Sequence, residues 1–255
     1  MMTNKKGSRK KVLENDENYF RWRLIRADKI ILLAQKHTSF QGKEVLDFGC
    51  GQGPLSYLLY QKKAKVHAID ISDKALKAMR KFTLKMKIDI KKTYNEKLPY
   101  KDNFFDLIFS FDVLEHVRDY KKYFSEMNRC LKKGGYVFLE TTPYYALITG
   151  HHLYDFTLLP AQYLPQKLMK WWILKKKSNK KKTSNQAWEQ FISLNKISIA
   201  KVRELAQESN FKTREENFIF KTPQFIEIKI NWIRRFGFLK EIVPMSYQAV
   251  FKKIS

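Results

Sequence analysis

An α/β fold with a mostly parallel sheet, covered by helices on both faces, is predicted by three observations. Short apolar runs alternate with amphipathic stretches from Glu44 to Thr141, the order that builds parallel strands joined by crossover helices. The runs are nearly continuous in hydrophobic residues, as strands buried on both faces must be. A glycine-dense turn, Gly49–Gly53, joins the first run to the first amphipathic stretch.

The elements follow in order. Residues 1–16 are polar and basic and read as a disordered arm. From Glu17 to Lys36, Phe20, Leu24, Ala27, Ile31 and Ala34 recur at helical spacing and predict a lead-in helix. Strands are expected at Glu44–Phe48, Lys65–Asp70, Ile88–Thr93, Phe105–Ser110 and Tyr136–Thr141, with helices at Pro54–Gln61, Asp73–Lys85 and Asp119–Leu131. After Thr142 the rhythm breaks. Residues 143–195 read as an insertion, rich in aromatics and carrying the pair Trp171–Trp172 and six lysines between Lys175 and Lys182. A helix near Ile197–Ser209 and strands near Thr213–Phe220 and Tyr247–Lys252 close the chain. The expected organisation is a core over 17–142, a substrate lid over 143–195, and 196–255 completing the same domain with a seven-stranded sheet.

A chain of 255 residues with 44% hydrophobic content buries one good-sized core, and one domain is expected. Cys50 and Cys130 are too few for a disulfide framework, and no paired-cysteine spacing suggests zinc. The basic N-terminus lacks the apolar stretch of a signal peptide, and no run of apolar residues is long enough to span a bilayer, so a cytoplasmic protein is expected. The net charge of +25 invites an anionic partner, but the excess is lysine, 39 against 11 arginines, and is spread along the chain. Lysine is the less specific reader of phosphates and base edges.

The informative stretch is VLDFGCGQGP, Val45–Pro54. Asp47 ends a strand, glycines stand at 49, 51 and 53, and Pro54 suits the first position of a helix because its missing N–H would be unpaired there. Such a turn lets the backbone approach a ligand at a helix N-terminus, where negative groups are favoured. Neither frame of the glycines completes the GxGxxG pattern of dinucleotide enzymes, since Pro54 follows Gly53 and the frame from Gly51 ends on Ser56. The remaining pattern is DxGxGxG. Asp70 closes the second strand 21 residues after Gly49, where a carboxylate can accept hydrogen bonds from both hydroxyls of a ribose. It could also cap the next helix, but Ser72 fills that role better.

Further on stand EKLPYKDNFFDLIFSFDVLEHV, Glu96–Val117, and KKGGYVFLETTP, Lys132–Pro143. Together with the glycine turn and Asp70, these resemble class I S-adenosylmethionine-dependent methyltransferases of the type 11 group, which includes ubiquinone and menaquinone biosynthesis enzymes. The likeness covers roughly residues 40–143. It implies a Rossmann-like fold, S-adenosylmethionine as cofactor, and cofactor contacts from Asp47, Gly49, Cys50, Gly51, Gly53, Asp70, Ile71, Asn95, Glu96 and Asp112. The family's acidic adenine contact falls on Tyr94 here, so stacking or backbone contact is expected in its place.

The resemblance also points to His116 as catalytic base, at the carboxyl edge of the sheet where open α/β folds place their sites. The competing reading of His116 is a residue that caps the turn. In some quinone-pathway relatives Mg²⁺ sits among residues matching Asp112, Glu115 and His116. His151 and His152, in the insertion, are further candidate bases. The acceptor is expected to be small, hydrophobic or lipid-linked, and methylated at oxygen. The aromatic and basic stretch 143–182 suits peripheral contact with an anionic membrane, or a lid that simply packs on the core. An RNA methyltransferase and a non-catalytic cofactor-binding scaffold are the alternatives.

Overall fold

A computed structural model describes residues 16–93, 97–146, 163–175, 184–221 and 227–254. Its centre is one sheet in the order β3-β2-β1-β4-β5-β8-β6-β7. β1 (Glu44–Phe48), β2 (Lys65–Asp70), β3 (Asp89–Lys92), β4 (Phe105–Phe111) and β5 (Leu131–Thr141) are parallel. β8 (Ser246–Lys253) runs antiparallel between β5 and β6 (Phe211–Lys221), and β7 (Glu227–Lys229) lies antiparallel at the edge. The strand order reverses between β1 and β4, which opens a crevice at their carboxyl ends.

This is the Rossmann-like architecture expected, with eight strands where seven were counted. The additional strand, β7, has three residues, too few to show a period. β5 starts at Leu131 rather than Tyr136. A β-carbon at Gly135 would lie 2.8 Å from the Asp106 carbonyl oxygen. The bare glycine therefore lets β5 run close along β4, across a register shift between Phe105 and Leu107.

Helices cover both faces. α1 (Asp16–Gln35) and α2 (Pro54–Gln61) pack Ile31, Ala34 and Leu59 on Val45, Val66, Phe109 and Phe138. α4 (Tyr120–Cys130) and α7 (Ile199–Glu208) pack Tyr123, Met127, Val202 and Leu205 on Leu46, Ile108, Phe218 and Phe251. Each such large side chain taken fully from water contributes about 1.5–3 kcal/mol. α3 (Asp73–Phe82) starts where the Ser72 hydroxyl accepts from the Ala75 N–H. α4 starts where the Asp119 carboxylate accepts from Lys122, and α7 where the Ser198 hydroxyl accepts from Lys201.

The described part of the 143–195 stretch contributes α5 (Gln166–Lys175) and α6 (Ser184–Ile192), which share a small core of Met169, Ile173 and Phe191. A short α8 (Leu239–Ile242) precedes β8. Among the described residues, no helix is long and apolar enough to cross a membrane.

Candidate functional site

Of the predicted cofactor residues, Asp47, Gly49, Cys50, Gly51, Gly53, Asp70, Ile71 and Asp112 stand at or just beyond the carboxyl ends of β1, β2 and β4. Gly49, Gly51 and Gly53 all have positive φ, at 77°, 55° and 81°, a region that costs residues with a β-carbon. Their surroundings differ. A β-carbon at Gly49 would strike Val113, and one at Gly53 would strike Met79, so these two seat the turn against its neighbours. Gly51 has open space where a β-carbon would stand. The turn is held from below by the Gly49 and Cys50 N–H groups, which donate to the Ile69 carbonyl at 2.8 and 3.0 Å.

Asp70 ties the turn to β2. One carboxylate oxygen accepts from the Gly51 N–H at 2.8 Å and the other from the Ser72 N–H at 2.8 Å. Each oxygen keeps a second lone pair for another donor. Ile71, beside it, is a 72% exposed apolar side chain just beyond the carboxyl end of β2.

Asp47 is buried and accepts from the Ser56 hydroxyl at 2.6 Å, which fixes the start of α2 beneath the turn. Burial raises its pKa to about 6, and the nearby Asp70 charge adds to the rise. Cys50 is buried, and burial reinforced by Asp47 and Asp70 pushes its thiol pKa up, so it stays protonated. Asn95, Glu96, His151 and His152 lie outside the described residues.

Asp112 follows β4 in the left-handed region, at φ 59°. Its carboxylate takes a two-pronged contact from Arg26, with Nη2 to Oδ1 at 2.8 Å and Nη1 to Oδ2, and a longer one from Arg23 at 3.3 Å. Arg26 also donates to Glu140 at 2.7 Å, and Glu140 in turn accepts from the Ser246 hydroxyl and the Gln248 amide. Burial opposes the charge on Arg26, but the two carboxylates outweigh it and hold the pKa above its ordinary value. The Nε of Arg26 is buried without a hydrogen-bond partner. Arg26 also lines a small cavity whose walls include Arg23, Asp47, Gly49, Cys50 and Phe111.

Reading the sequence missed Arg23, Arg26 and Glu140. The available signal was that Arg23, Arg26 and Ile30 share the helix face of Ala27, where a solvated arginine would be out of place.

After Asp112 the chain makes a single 3₁₀ turn, Leu114–His116. Glu115 is buried, accepts from the Thr141 hydroxyl at 3.0 Å, and has a pKa raised to about 8 by burial, with the Asp112 charge adding to it. His116 is exposed, on the turn that follows the carboxyl end of β4. Partial burial of its ring lowers its pKa, against the pull of Asp112, which favours the neutral imidazole. Asp112, Glu115 and His116 do not assemble as a cation site. Asp112 is engaged by two guanidiniums and Glu115 by a buried hydroxyl. Among the described residues no group of three or more candidate ligands converges.

Residues 46–139 match the model of a family described as "Methyltransferase domain". The chain is 32% identical over 132 residues to a ubiquinone biosynthesis O-methyltransferase of Nitrosospira multiformis, covering 51% of this chain and 53% of that protein. It is 30% identical to the protein of that name from Alkalilimnicola ehrlichii, covering 63% and 59%. The chain thus spans little more than half the length of these relatives. Among solved structures, an S-adenosylmethionine-dependent methyltransferase from Mesorhizobium loti has a TM-score of 0.59 at 15% identity, over 94% of this chain and 100% of that one. A Haloferax volcanii methyltransferase, solved in complex with the activator Trm112, has a TM-score of 0.60 at 16% identity, over 93% and 94%. These likenesses give the fold.

Proposed function

We propose that this chain, whose residues 46–139 are a methyltransferase domain, transfers a methyl group from S-adenosylmethionine to an oxygen of a small, hydrophobic or lipid-linked acceptor. The observation that carries this reading is the contact between the open glycine turn and the second strand, where the Gly51 N–H meets the Asp70 carboxylate at 2.8 Å. The turn, the carboxylate and the apolar Ile71 stand side by side at the strand-order reversal. That set suits a ligand with an amino-acid end, a ribose and an aromatic base.

The residues present fit the cofactor. Asp70 has lone pairs left for ribose hydroxyls, and Ile71 supplies a face for adenine. The backbone at Gly51 leaves room for the amino-acid end, beside the N-terminus of α2. Arg26 and Arg23 both line the small cavity beside the turn and supply positive charge for a carboxylate there. When bound, S-adenosylmethionine offers a methyl group on a positive sulfur, a good leaving group. The protein then has to position the acceptor, exclude water, and take a proton from an acceptor hydroxyl. His116 is the group for that proton, its lowered pKa favouring the neutral imidazole and its turn following the carboxyl end of β4.

Support for a hydrophobic or lipid-linked acceptor comes from α5. Leu168, Trp171 and Leu174 are exposed along one side of it, with Lys167, Lys170 and Lys175 on the same helix and the Lys175 ammonium 4.4 Å from the Trp171 ring. Tryptophan beside lysine suits a membrane interface. The printed name of the relatives, an O-methyltransferase, supports oxygen as the acceptor atom.

A second reading, RNA as acceptor, is favoured by a recess of about 390 Å³ lined by Lys133, Lys212, Arg214 and Lys252, with no Asp or Glu in its wall among the described residues. The test is transfer of labelled methyl from S-adenosylmethionine into a lysate separated into lipid, RNA, protein and small-molecule fractions. Label in lipid or small molecules, lost with Asp70→Ala, is the expected result. Label in RNA would replace this acceptor with the second one. Label nowhere, with the cofactor still bound, would make the chain a scaffold.

A further inference from the structure

The turn that presents His116 is too short to hold itself. Its own backbone bonds are His116 N–H to Val113 at 2.9 Å and Val117 N–H to Leu114 at 3.2 Å, and one isolated turn is a poor structure in water. Leu114, Glu115 and Val117 are buried, so their carbonyls need donors from elsewhere in the fold.

Asn195 donates to the carbonyls of all three. The backbone N–H of Asn195 donates to the Glu115 carbonyl at 2.9 Å. Its side-chain amide donates to the Leu114 carbonyl and, at 2.9 Å, to the Val117 carbonyl. The amide oxygen accepts from the Ile197 N–H at 3.2 Å, which turns the chain toward the Ser198 cap of α7. Asn195 comes three residues after α6 and one turn before α7. Its neighbour Lys196 stands with its ammonium 5.9 Å from the Tyr144 ring.

We propose that Asn195 is a positioning residue for the transfer step, clamping the His116 turn and joining it to the connection between α6 and α7. The proposal rests on the methyltransferase reading above. The residue type is specific to the task. Two amide hydrogens meet two carbonyls, and an oxygen meets an N–H. A carboxylate of the same shape would aim an oxygen at two carbonyl oxygens, so Asn195→Asp should disturb the turn more than Asn195→Ala. A residue that only filled space would show the opposite order.

The test has one arm that needs no acceptor. Hydrogen exchange on the full chain should show the Val113–Val117 amides exchanging at least about tenfold faster in Asn195→Ala, and faster again in Asn195→Asp. β1 and β4 should keep their protection, and the affinity for S-adenosylmethionine should stay within about twofold. In the second arm, labelled methyl transfer into the lysate should fall about ten- to a hundredfold in Asn195→Ala at saturating S-adenosylmethionine. The same substitution in a His116→Ala background should cost nothing further, because the two act through one group.

Unchanged exchange in the turn, loss of protection across the whole sheet, or additive losses in the double variant would overturn the assignment. Should the wild-type chain transfer no label at all, the function fails by itself. The exchange arm then still decides whether Asn195 holds the turn.

Discussion

Glu115 sits one residue before the proposed base with a carboxyl that burial raises to about 8. In an unfolded chain the same group titrates near 4.5. The folded state therefore binds the proton more tightly, and stability falls as pH climbs from 4.5 toward 8. Glu115→Gln keeps the shape without the proton to lose. Its melting temperature should exceed that of the wild type at pH 8 and match it near pH 4.5. Equal curves at pH 8 would show that the carboxyl ionises without cost. His116 shifts the other way, its pKa held below 6.5 by burial of the ring. As the base it should give a transfer rate that rises through a limb below pH 6.5 and then stays flat, and His116→Ala should lose turnover with cofactor affinity kept. A limb that survives the substitution would move the base elsewhere. At the proposed cofactor turn, Asp70→Ala removes the proposed ribose partner and Gly51→Val fills the open side of the loop at φ 55°. Calorimetry should show S-adenosylmethionine affinity reduced at least about a hundredfold in both, since charged hydrogen bonds and close backbone approach are lost together. Circular dichroism should remain native. Normal affinity in both variants would dislodge the site.

Among the elements, α1 does more than its apolar pattern announces. The pattern located the helix within a residue of Asp16–Gln35 because Phe20, Ala27, Ile31 and Ala34 are spaced for burial. It did not show that Arg26 reaches across to Asp112 and Glu140, at the ends of β4 and β5. Those partners lie 86 and 114 residues away in the chain, and helix periodicity carries no information about such pairings. The glycine turn and the place of Asp70 beside it were legible because backbone conformation restricts the residue types locally. Asn195 was not, since an asparagine in a polar connection has many ordinary uses. β7 escaped because three residues cannot display a period. The α1 clamp has a measurable consequence. Arg26→Met would leave two largely buried carboxylates without their shared cation, with exposures of 14% and 2%. Such a break typically costs about 3–5 kcal/mol, so denaturant unfolding should shift by that order. S-adenosylmethionine affinity should fall as well, because Arg26 lines the cavity proposed to take part of the cofactor. A variant that keeps affinity while losing stability would confine Arg26 to holding α1 in place.

For the whole molecule the dominant fact is charge, 50 lysines and arginines against 25 carboxylates. Part of the excess is absorbed locally. Lys132 is bonded to Asp106, Lys29 to Glu227, and Arg203 to Glu216, at 2.7–2.9 Å. Elsewhere the sheet tolerates direct repulsion, with Lys212 and Lys252 opposite one another on β6 and β8, an arrangement that costs stability when nothing anionic lies between them. Self-repulsion at this net charge should exceed what the exposed ion pairs return, since such pairs contribute about 0–1 kcal/mol each. Salt then acts in opposite senses on the two terms, and the larger one sets the sign. Raising NaCl from low ionic strength, where fields reach about 30 Å, to a level where they reach about 8 Å should raise the melting temperature by about 3 °C. The gain should shrink in Lys212→Gln with Lys252→Gln, which removes the opposed pair. A melting temperature that falls with salt would mean that the local ion pairs outweigh the global repulsion, and the lysine excess would then stabilise the fold.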